Sequence, residues 1–576
     1  MTALLIGMNR KEVSMKLYRI TLFAAIIALA ACTKEVAPAP AAEAVVDGAK
    51  IIATAIAPGA TISTKVNYTD AYSDIENITD VAAGAWSSGD SFSALEINGT
   101  AVTAVTFTAS GSGASAEFKS SGAVEANENT QWIAVSGKAR VENGILICEY
   151  DGQDGSLAKI GNYDFVMAKG SGTSPVFDFS AKEVKPLTYL MRLLLPAGIQ
   201  YIEFNTGKEY NGGWNIGSDG KALATVSNPS KEAVRMLTLP SVSTAKQIAY
   251  LAIPAIDLKH ETGTGNRFAG LIVTILSSDK RKSQGKVFSL NLNSKGGHMG
   301  TFDMSSLELM ARPLASDAIR LGKVTYDGKD YPLGSWAPFN VGGDIPTSDE
   351  AIKGNLYAWG EIEPKATFSD ANYKWKTGTN YQTTLGNKFI GAMEGVEPFI
   401  EVHYAGGKGF FTGPGTYYDI GGTKFDVARV KWGSEWRMPS NEVCCNLLKD
   451  SKYRLTDERD TQDLVTSDRY DAGTYTNSYK YKSTAFGVDT FKANGAELAL
   501  YHVPFTEDKA VISNAARGRY WTSTTDYGNN PDASSGNYWN RAVHIRLDVY
   551  NGGVDNYINN MGWIWNGLSV RAVLNE

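Results

Sequence analysis

Histidine and cysteine are scarce here, five and four among 576 residues. The five histidines, at positions 260, 298, 403, 502 and 544, never show H-x-x-x-H or H-E-x-x-H spacing. A zinc hydrolase therefore has no ligand set to draw on. No G-x-S-x-G elbow and no P-loop occurs, which removes the commonest hydrolase and nucleotide-binding signatures. The net charge is −6, so the cationic footprint of a nucleic-acid binder is missing as well. An odd, sparse cysteine set cannot staple a scaffold, and the core must come from packing. Long apolar runs are equally absent beyond the N-terminus, where stretches such as Leu193–Pro196 fall far short of a membrane span.

What the chain has is glycine and aromatics: 58 Gly, 28 Tyr, 21 Phe and 12 Trp. Together with ordinary fractions of charged (20%) and hydrophobic (43%) residues, this describes a folded chain of many short strands and turns. At this length several domains are expected. A binding or structural protein suits the composition better than a catalyst.

The N-terminus carries a targeting signal. Met15-Lys-Leu-Tyr-Arg19 is basic, and Ile20 to Ala31 is an apolar run too short to span a bilayer. It ends in Leu29-Ala-Ala-Cys32, which resembles the lipobox of bacterial lipoproteins and implies acylation of Cys32. Residues 1–31 are thus read as a signal peptide, with Met15 as an alternative start. Residues 32–45, rich in Pro and Ala, are read as a lipidated cysteine and tether.

Tryptophan divides the remainder. Three of twelve lie before residue 316 and nine after it, with a junction near Ala311-Arg-Pro-Leu-Ala315. In the first part, Val102–Phe107, Ile133–Val135, Ile145–Cys148, Ile199–Phe204, Ile272–Ile275 and Val287–Leu292 are short period-2 runs. They are expected as antiparallel β-sandwich strands. The length calls for two sandwiches, 46–180 and 181–312.

Within this part Trp86-Ser-Ser-Gly-Asp90, Asp164-Phe-Val-Met-Ala168, Pro186–Leu195 and Ala249–Pro254 occur in the order found in fimbrillin-type proteins of Bacteroidetes, which the region resembles. The resemblance implies two tandem transthyretin-like β-sandwiches serving as pilus subunits or surface stalks. Major fimbrillins mature by cleavage after an arginine near the first strand. Here the first arginine after Cys32 is Arg140, with Lys50 and Lys65 as substitutes.

Residues 316–576 carry other blocks: Trp336-Ala-Pro-Phe-Asn-Val-Gly-Gly343, Gly354–Glu361, Val430–Ser440, Gly518–Thr524 and Gly567–Arg571. These resemble a Bacteroidetes/Fibrobacteres paralogous domain, the major paralogous domain of Fibrobacter succinogenes, and imply an α+β C-type-lectin-like fold. The expected fold class is therefore mainly β, two sandwiches followed by that domain. Ser440 caps an expected helix over Glu442–Lys449. In the Trp-Gly-x-x-Trp-Arg-Met-Pro block, the two indoles flank a glycine that suits close backbone approach to the rings. Trp359, Trp432, Trp436 and Trp521 are expected in the core, and Arg437 and Arg571 as structural cations needing acceptors.

The candidate binding surface is the last segment, where tyrosines and tryptophans alternate with asparagines from Arg519 to Asn566. Tyr and Trp give stiff contact area while Asn adapts its hydrogen bonds, the chemistry of a paratope and of a sugar site. The residues singled out are Tyr527, Trp539, Tyr550, Asp555, Tyr557, Asn559, Trp563 and Trp565, the last two alternating around Ile564. Acidic pairs Glu361/Glu363 and Asp457/Asp460 match the residue types of glycoside hydrolysis but are expected as solvated surface groups. The resemblance to formylglycine-generating relatives of the fold stops at cysteine, since Cys445 is the last.

Sugar-binding C-type lectins hold calcium with E-P-N or Q-P-D and W-N-D. This chain offers Asn530-Pro-Asp532 and Trp539-Asn-Arg541, so no cofactor is expected, with a calcium site of carbonyls and carboxylates left open. The reading that follows is a surface-anchored adhesin with a glycan or protein partner, other pilus subunits as further partners, and no nucleic acid. Its rivals are a structural capping protein and, more remotely, a carbohydrate-processing enzyme.

Overall fold

The computed structural model describes residues 52–56, 86–122, 124–179, 185–205, 213–225, 235–255, 271–288, 299–326, 328–365, 367–368, 420–448, 465–507, 510–513, 516–525, 541–550, 553–563 and 566–576. The signal peptide, Cys32, the tether, Lys50 and Lys65 lie outside them. Residues 50–576 form one compact unit, and the fold is mainly β.

The N-terminal strands build an eight-stranded sheet in the order 185–186, 166–171, 131–135, 91–98, 101–109, 115–120, 52–56, 176–178. Its pairs are antiparallel except Ile52–Ile56 with Val176–Asp178. Alternation gives it two buried faces. Phe92, Ala94, Phe107, Phe118, Trp132 and Phe177 enclose an aromatic core with Trp86 and Phe179. Trp86 meets Phe118 edge-on at 5.0 Å, so the W-x-x-G-D tryptophan is a core residue. Leu95, Ile133, Val135 and Met167 point the other way, into a core shared with residues 187–304.

That shared core crosses residue 180, and so does strand pairing. Gly213–Ile216 pairs with Ile145–Glu149 in a four-stranded sheet of order 222–225, 213–216, 145–149, 140–142. Strand Thr188–Leu195 is buried at every position. Covered on both faces, it is apolar from Tyr189 to Leu195 except at the buried Arg192, and shows no alternation. It sits between Gln247–Pro254 and Met299–Asp303. A five-stranded sheet, order 235–238, 199–205, 271–277, 282–288, 310–311, closes the same core through Ile202, Val273 and Ile275.

In the C-terminal region the opening hairpin meets the last strand. Ile319–Tyr326 and Lys329–Trp336 form a hairpin whose Trp336 pairs with Val573, and Arg437 pairs with Val573 from the other side. Helix Asn441–Leu447 starts where Ser440 accepts a hydrogen bond from the Val443 N–H at 3.4 Å, as its sequence predicts. Cys444 and Cys445 are buried free thiols within it, part of a core with Trp336, Phe491, Tyr520 and Ile545. Burial raises the Cys444 thiol well above its ordinary value, so it is an inert packing group.

The two regions are welded together. Helix Val427–Trp432 is buried at all six positions because it packs on strands Leu271–Ser277 and Lys282–Phe288. Thr274 Oγ1 donates to Val430 O at 2.9 Å, and Ser283 Oγ donates to Lys431 O at 2.7 Å. A Cβ on Gly285 would stand 1.8 Å from Val430 O, so glycine is what lets the helix sit this close. At the centre, Arg429 Nη1 donates to Glu203 Oε1 at 2.7 Å, with both side chains 3% exposed or less. The Glu203 carboxylate also accepts from Ser434 N at 2.6 Å and Ser434 Oγ at 2.9 Å.

The junction Ala311–Ala315 is clamped rather than loose. Trp432 Nε1 donates to Ala311 O at 2.9 Å and Trp436 Nε1 to Pro313 O at 3.0 Å. Arg312, buried, donates to Trp432 O and Lys280 O and pairs with Glu435.

Candidate ligand-binding face of the C-terminal region

The sequence blocks of this region converge on one another in the core. Trp359 Nε1 donates to Thr522 O at 2.9 Å and Trp521 Nε1 to Tyr357 O at 2.8 Å, which ties two blocks reciprocally. Trp432 and Trp436 meet edge-on, ring centroids 5.8 Å apart. All four are at most 2% exposed, as their expected core role requires.

The glycine between Trp432 and Trp436 plays another part than the expected one. Gly433 has φ +90° and packs against Glu203, whose carboxylate a Cβ would meet at 2.8 Å. It makes room for the Glu203 carboxylate, not for an indole face. Arg571, fully buried, donates through Nε to Asn340 Oδ1 at 2.8 Å and through Nη1 to the Ala337, Pro338 and Ala499 carbonyls. It thereby joins the first block to the last, a structural cation satisfied by neutral acceptors.

The acidic pair Glu361/Glu363 is engaged in structure. Glu361 is buried and paired with Lys365 at 2.5 Å, and Glu363 holds the buried Lys431 at 2.7 Å. Glu361 thus departs from the expected solvated group, because Lys365 neutralises it in place. Asp457 and Asp460 lie outside the described residues. Among the described residues, no group of three or more His, Cys, Asp or Glu side chains is placed to hold a metal.

The candidate segment is carried by a three-stranded antiparallel sheet, Gly518–Thr525, Arg541–Tyr550 and Gly553–Trp563. Val543, Ile545 and Leu547 pack into the core from the middle strand. Of the alternate positions, Arg546 and Asp548 carry charge. Asp548, buried, takes Arg519 bidentately at 3.0 and 3.1 Å, Arg546 at 2.5 Å and Arg517 at 3.6 Å. Burial opposes ionisation of Asp548, and Arg519 and Arg546 outweigh it, holding the carboxyl below its ordinary range.

A second buried cluster adjoins it. Asp489 accepts from Arg469 at 2.7 and 2.6 Å and lies 2.9 Å from His502 Nε2, while Arg469 Nη1 donates to Asp548 O at 2.7 Å. His544 is 5% exposed, stands edge-on to Trp521 at 5.8 Å, and its Nδ1 has no hydrogen-bond partner. Burial first, then Arg519 and Arg546, holds its pKa well below the ordinary histidine value, so the ring is neutral.

On this platform the backbone places five of the eight candidate residues. Asp555, Tyr557 and Asn559 stand opposite Asp548, Arg546 and His544 in register, and Tyr550 stands opposite Gly553. The register shifts between Ala542 and His544, so that Trp563 stands opposite Arg541, one residue out of step with the alternation through 555, 557 and 559. Tyr527, Trp539 and Trp565 lie outside the described residues, as do Asn530 and Asp532.

Another aromatic cluster escaped the sequence reading. Tyr470, Tyr475, Tyr479 and Tyr481 fall within twelve residues, on and after the strand Thr466–Tyr470. Tyr470, Tyr475 and Tyr481 pack half-buried around Tyr501 and Val503. Four tyrosines interleaved with Thr, Asn and Ser were the available signal.

No family model and no curated protein matches the chain. Among solved structures it is similar to three proteins each described as a "putative cell adhesion protein". For that of Bacteroides uniformis ATCC 8492, identity is 12%, with 39% of this chain and 90% of that one covered at a TM-score of 0.25. For Bacteroides ovatus ATCC 8483 the figures are 12%, 46%, 96% and 0.26. For Bacteroides fragilis NCTC 9343 they are 9%, 46%, 98% and 0.24.

Proposed function

We propose that the chain is a surface-anchored adhesin, acylated at Cys32 and held in the outer membrane, that serves as a pilus tip or accessory subunit. Its transthyretin-like, fimbrillin-type stalk projects a C-type-lectin-like head that recognises a glycan or a surface protein. The reading rests on the lipobox and the ordered motif blocks in the sequence. The observation that carries it is the division of labour among the head's aromatics. The block residues Trp359, Trp432, Trp436 and Trp521 are consumed in the core, while the Tyr/Trp/Asn-rich strand Gly553–Trp563 is mounted on a sheet anchored by the buried Asp548 and Asp489 clusters. A stiff platform lowers the entropy cost of recognition.

A structural cap without a ligand is the second reading, favoured by the weld at Glu203–Arg429. Binding separates the two. The mature chain with Cys32→Ser, applied to arrays of glycans and host surface proteins, should retain a ligand, and Trp563→Ala/Trp565→Ala should weaken it at least tenfold. Unchanged binding by the double variant contradicts the site, and absence of any ligand favours the cap.

A further inference from the structure

The turn Asn477–Lys480 is unusually well fixed for a surface loop. Asn477 is 6% exposed and spends its amide on four bonds. Nδ2 donates to Pro346 O at 2.8 Å and to Tyr501 Oη at 3.2 Å, and Oδ1 accepts from the Tyr479 and Tyr481 N–H groups at 2.9 and 3.0 Å. The backbone closes with Asn477 N–H to Tyr481 O and Lys480 N–H to Asn477 O, and Lys480 takes φ +64°, a left-handed conformation for a residue with a side chain. Strain of this kind persists only where its surroundings enforce it.

The effect is to hold Tyr479 out. It is 39% exposed and the one aromatic among the exposed large hydrophobics of the described residues; Ile345, at 38%, is another member of that set. The Asn477–Pro346 bond sets the turn beside Pro346, the neighbour of Ile345. Around them stand exposed Thr347, Ser478, Lys480 and Lys482. The Arg281–Asp317 ion pair lies close enough for Asp317, after burial, to raise the Tyr479 phenol.

We propose that the Asn477-organised turn is a sugar-binding site, in which the C–H face of one pyranose ring of a glycan stacks on Tyr479 and Ile345 while Ser478, Thr347 and Lys480 meet its hydroxyls. Tyr479 and Ile345 are exposed apolar side chains on two segments joined by the Asn477–Pro346 bond, and a tyrosine ring with hydroxyl and amine donors next to it in sequence suits a sugar. The assignment rests on the reading of the head as a ligand-binding module, and adds to the last segment a second site on other residues.

The test uses the mature chain with Cys32→Ser on an array of immobilised neutral and acidic oligosaccharides, with Tyr479→Ala, Tyr479→Phe, Ile345→Asp and Trp563→Ala/Trp565→Ala beside it. The turn assignment predicts at least a tenfold loss with Tyr479→Ala and Ile345→Asp, whatever the tryptophan pair does, and binding within twofold of the parent for Tyr479→Phe, which keeps the ring. A urea midpoint within experimental error of the parent's for each variant excludes unfolding as the cause of a loss. Parent-like binding by Tyr479→Ala overturns the turn as the site, and loss confined to the tryptophan pair does so while leaving the adhesin reading intact. A parent chain that binds no oligosaccharide overturns it too, and a host-protein ligand would then still sustain the adhesin reading.

Discussion

At the residue scale, the most consequential group is a carboxylate in the middle of a sheet. Glu203 is buried with Arg429 and Ser434 as its partners. Removing one partner of a buried ion pair leaves the other charge stranded. Glu203→Ala should therefore cost about 3–5 kcal/mol, read as a lower urea midpoint with an unchanged slope, whereas a loss under about 0.5 kcal/mol would show the pair to be solvated. His544 supplies a pH signature. Its folded pKa is depressed below the ordinary 6.5, so its contribution to stability is complete above pH 6.5 and is lost as pH falls below it. Asp489 and Asp548, also depressed, begin to lose theirs only near their ordinary 3.8. Urea midpoints between pH 7.5 and 5 should fall less steeply for His544→Gln than for the parent, by up to about 1.4 kcal/mol per pH unit. Parallel curves would mean that His544 carries its proton in the fold.

At the scale of elements, helix Val427–Trp432 depends on one cap. Asp426, buried, accepts from the Ala428, Arg429, Gly422 and Met438 N–H groups. It fixes at once the helix that meets strands Leu271–Ser277 and Lys282–Phe288 and the strand after it. Asp426→Ala leaves these donors unsatisfied and should cost about 2 kcal/mol or more, visible as faster protease cleavage near residues 420–440.

How much of this was legible follows from where each cause resides. The strands at Val102–Phe107, Ile133–Val135, Ile145–Cys148, Ile199–Phe204 and Ile272–Ile275 were readable because one or two buried faces impose a period on neighbouring residues. The helix after Ser440 was readable because its cap is local. Partner choice was not. Gly213–Ile216 joins Ile145–Glu149 across a sequence gap that no period encodes, and Arg429 finds Glu203 across 226 residues. Gly433 was legible as a close approach, but its neighbour was a carboxylate of a distant strand. The Tyr479 turn was missed because its organiser is a single asparagine among many. In the last segment, composition marked the residues, while the one-residue shift that sets Trp563 out of step arises from pairing.

At the scale of the whole molecule, the regions before and after Ala311–Ala315 are one body at their junction. The apolar residues Ile272 and Leu276 and the polar Glu203 and Thr274 are buried on the N-terminal side of that contact, so neither half is complete alone. Residues 316–576 expressed separately should unfold at lower urea than the same residues within 50–576, and protease should spare Ala311–Ala315 in the longer chain. Equal midpoints would make the junction incidental.

The central claim is that this fixed head recognises a ligand, and titration of the mature chain against intact cells displaying the array-selected ligand tests it most directly. Saturable binding, lost when the ligand is stripped from the cells and weakened at least tenfold by substitution of the head's exposed aromatics, is the predicted result. Binding that is non-saturable, or indifferent both to stripping and to every head substitution, would contradict the account.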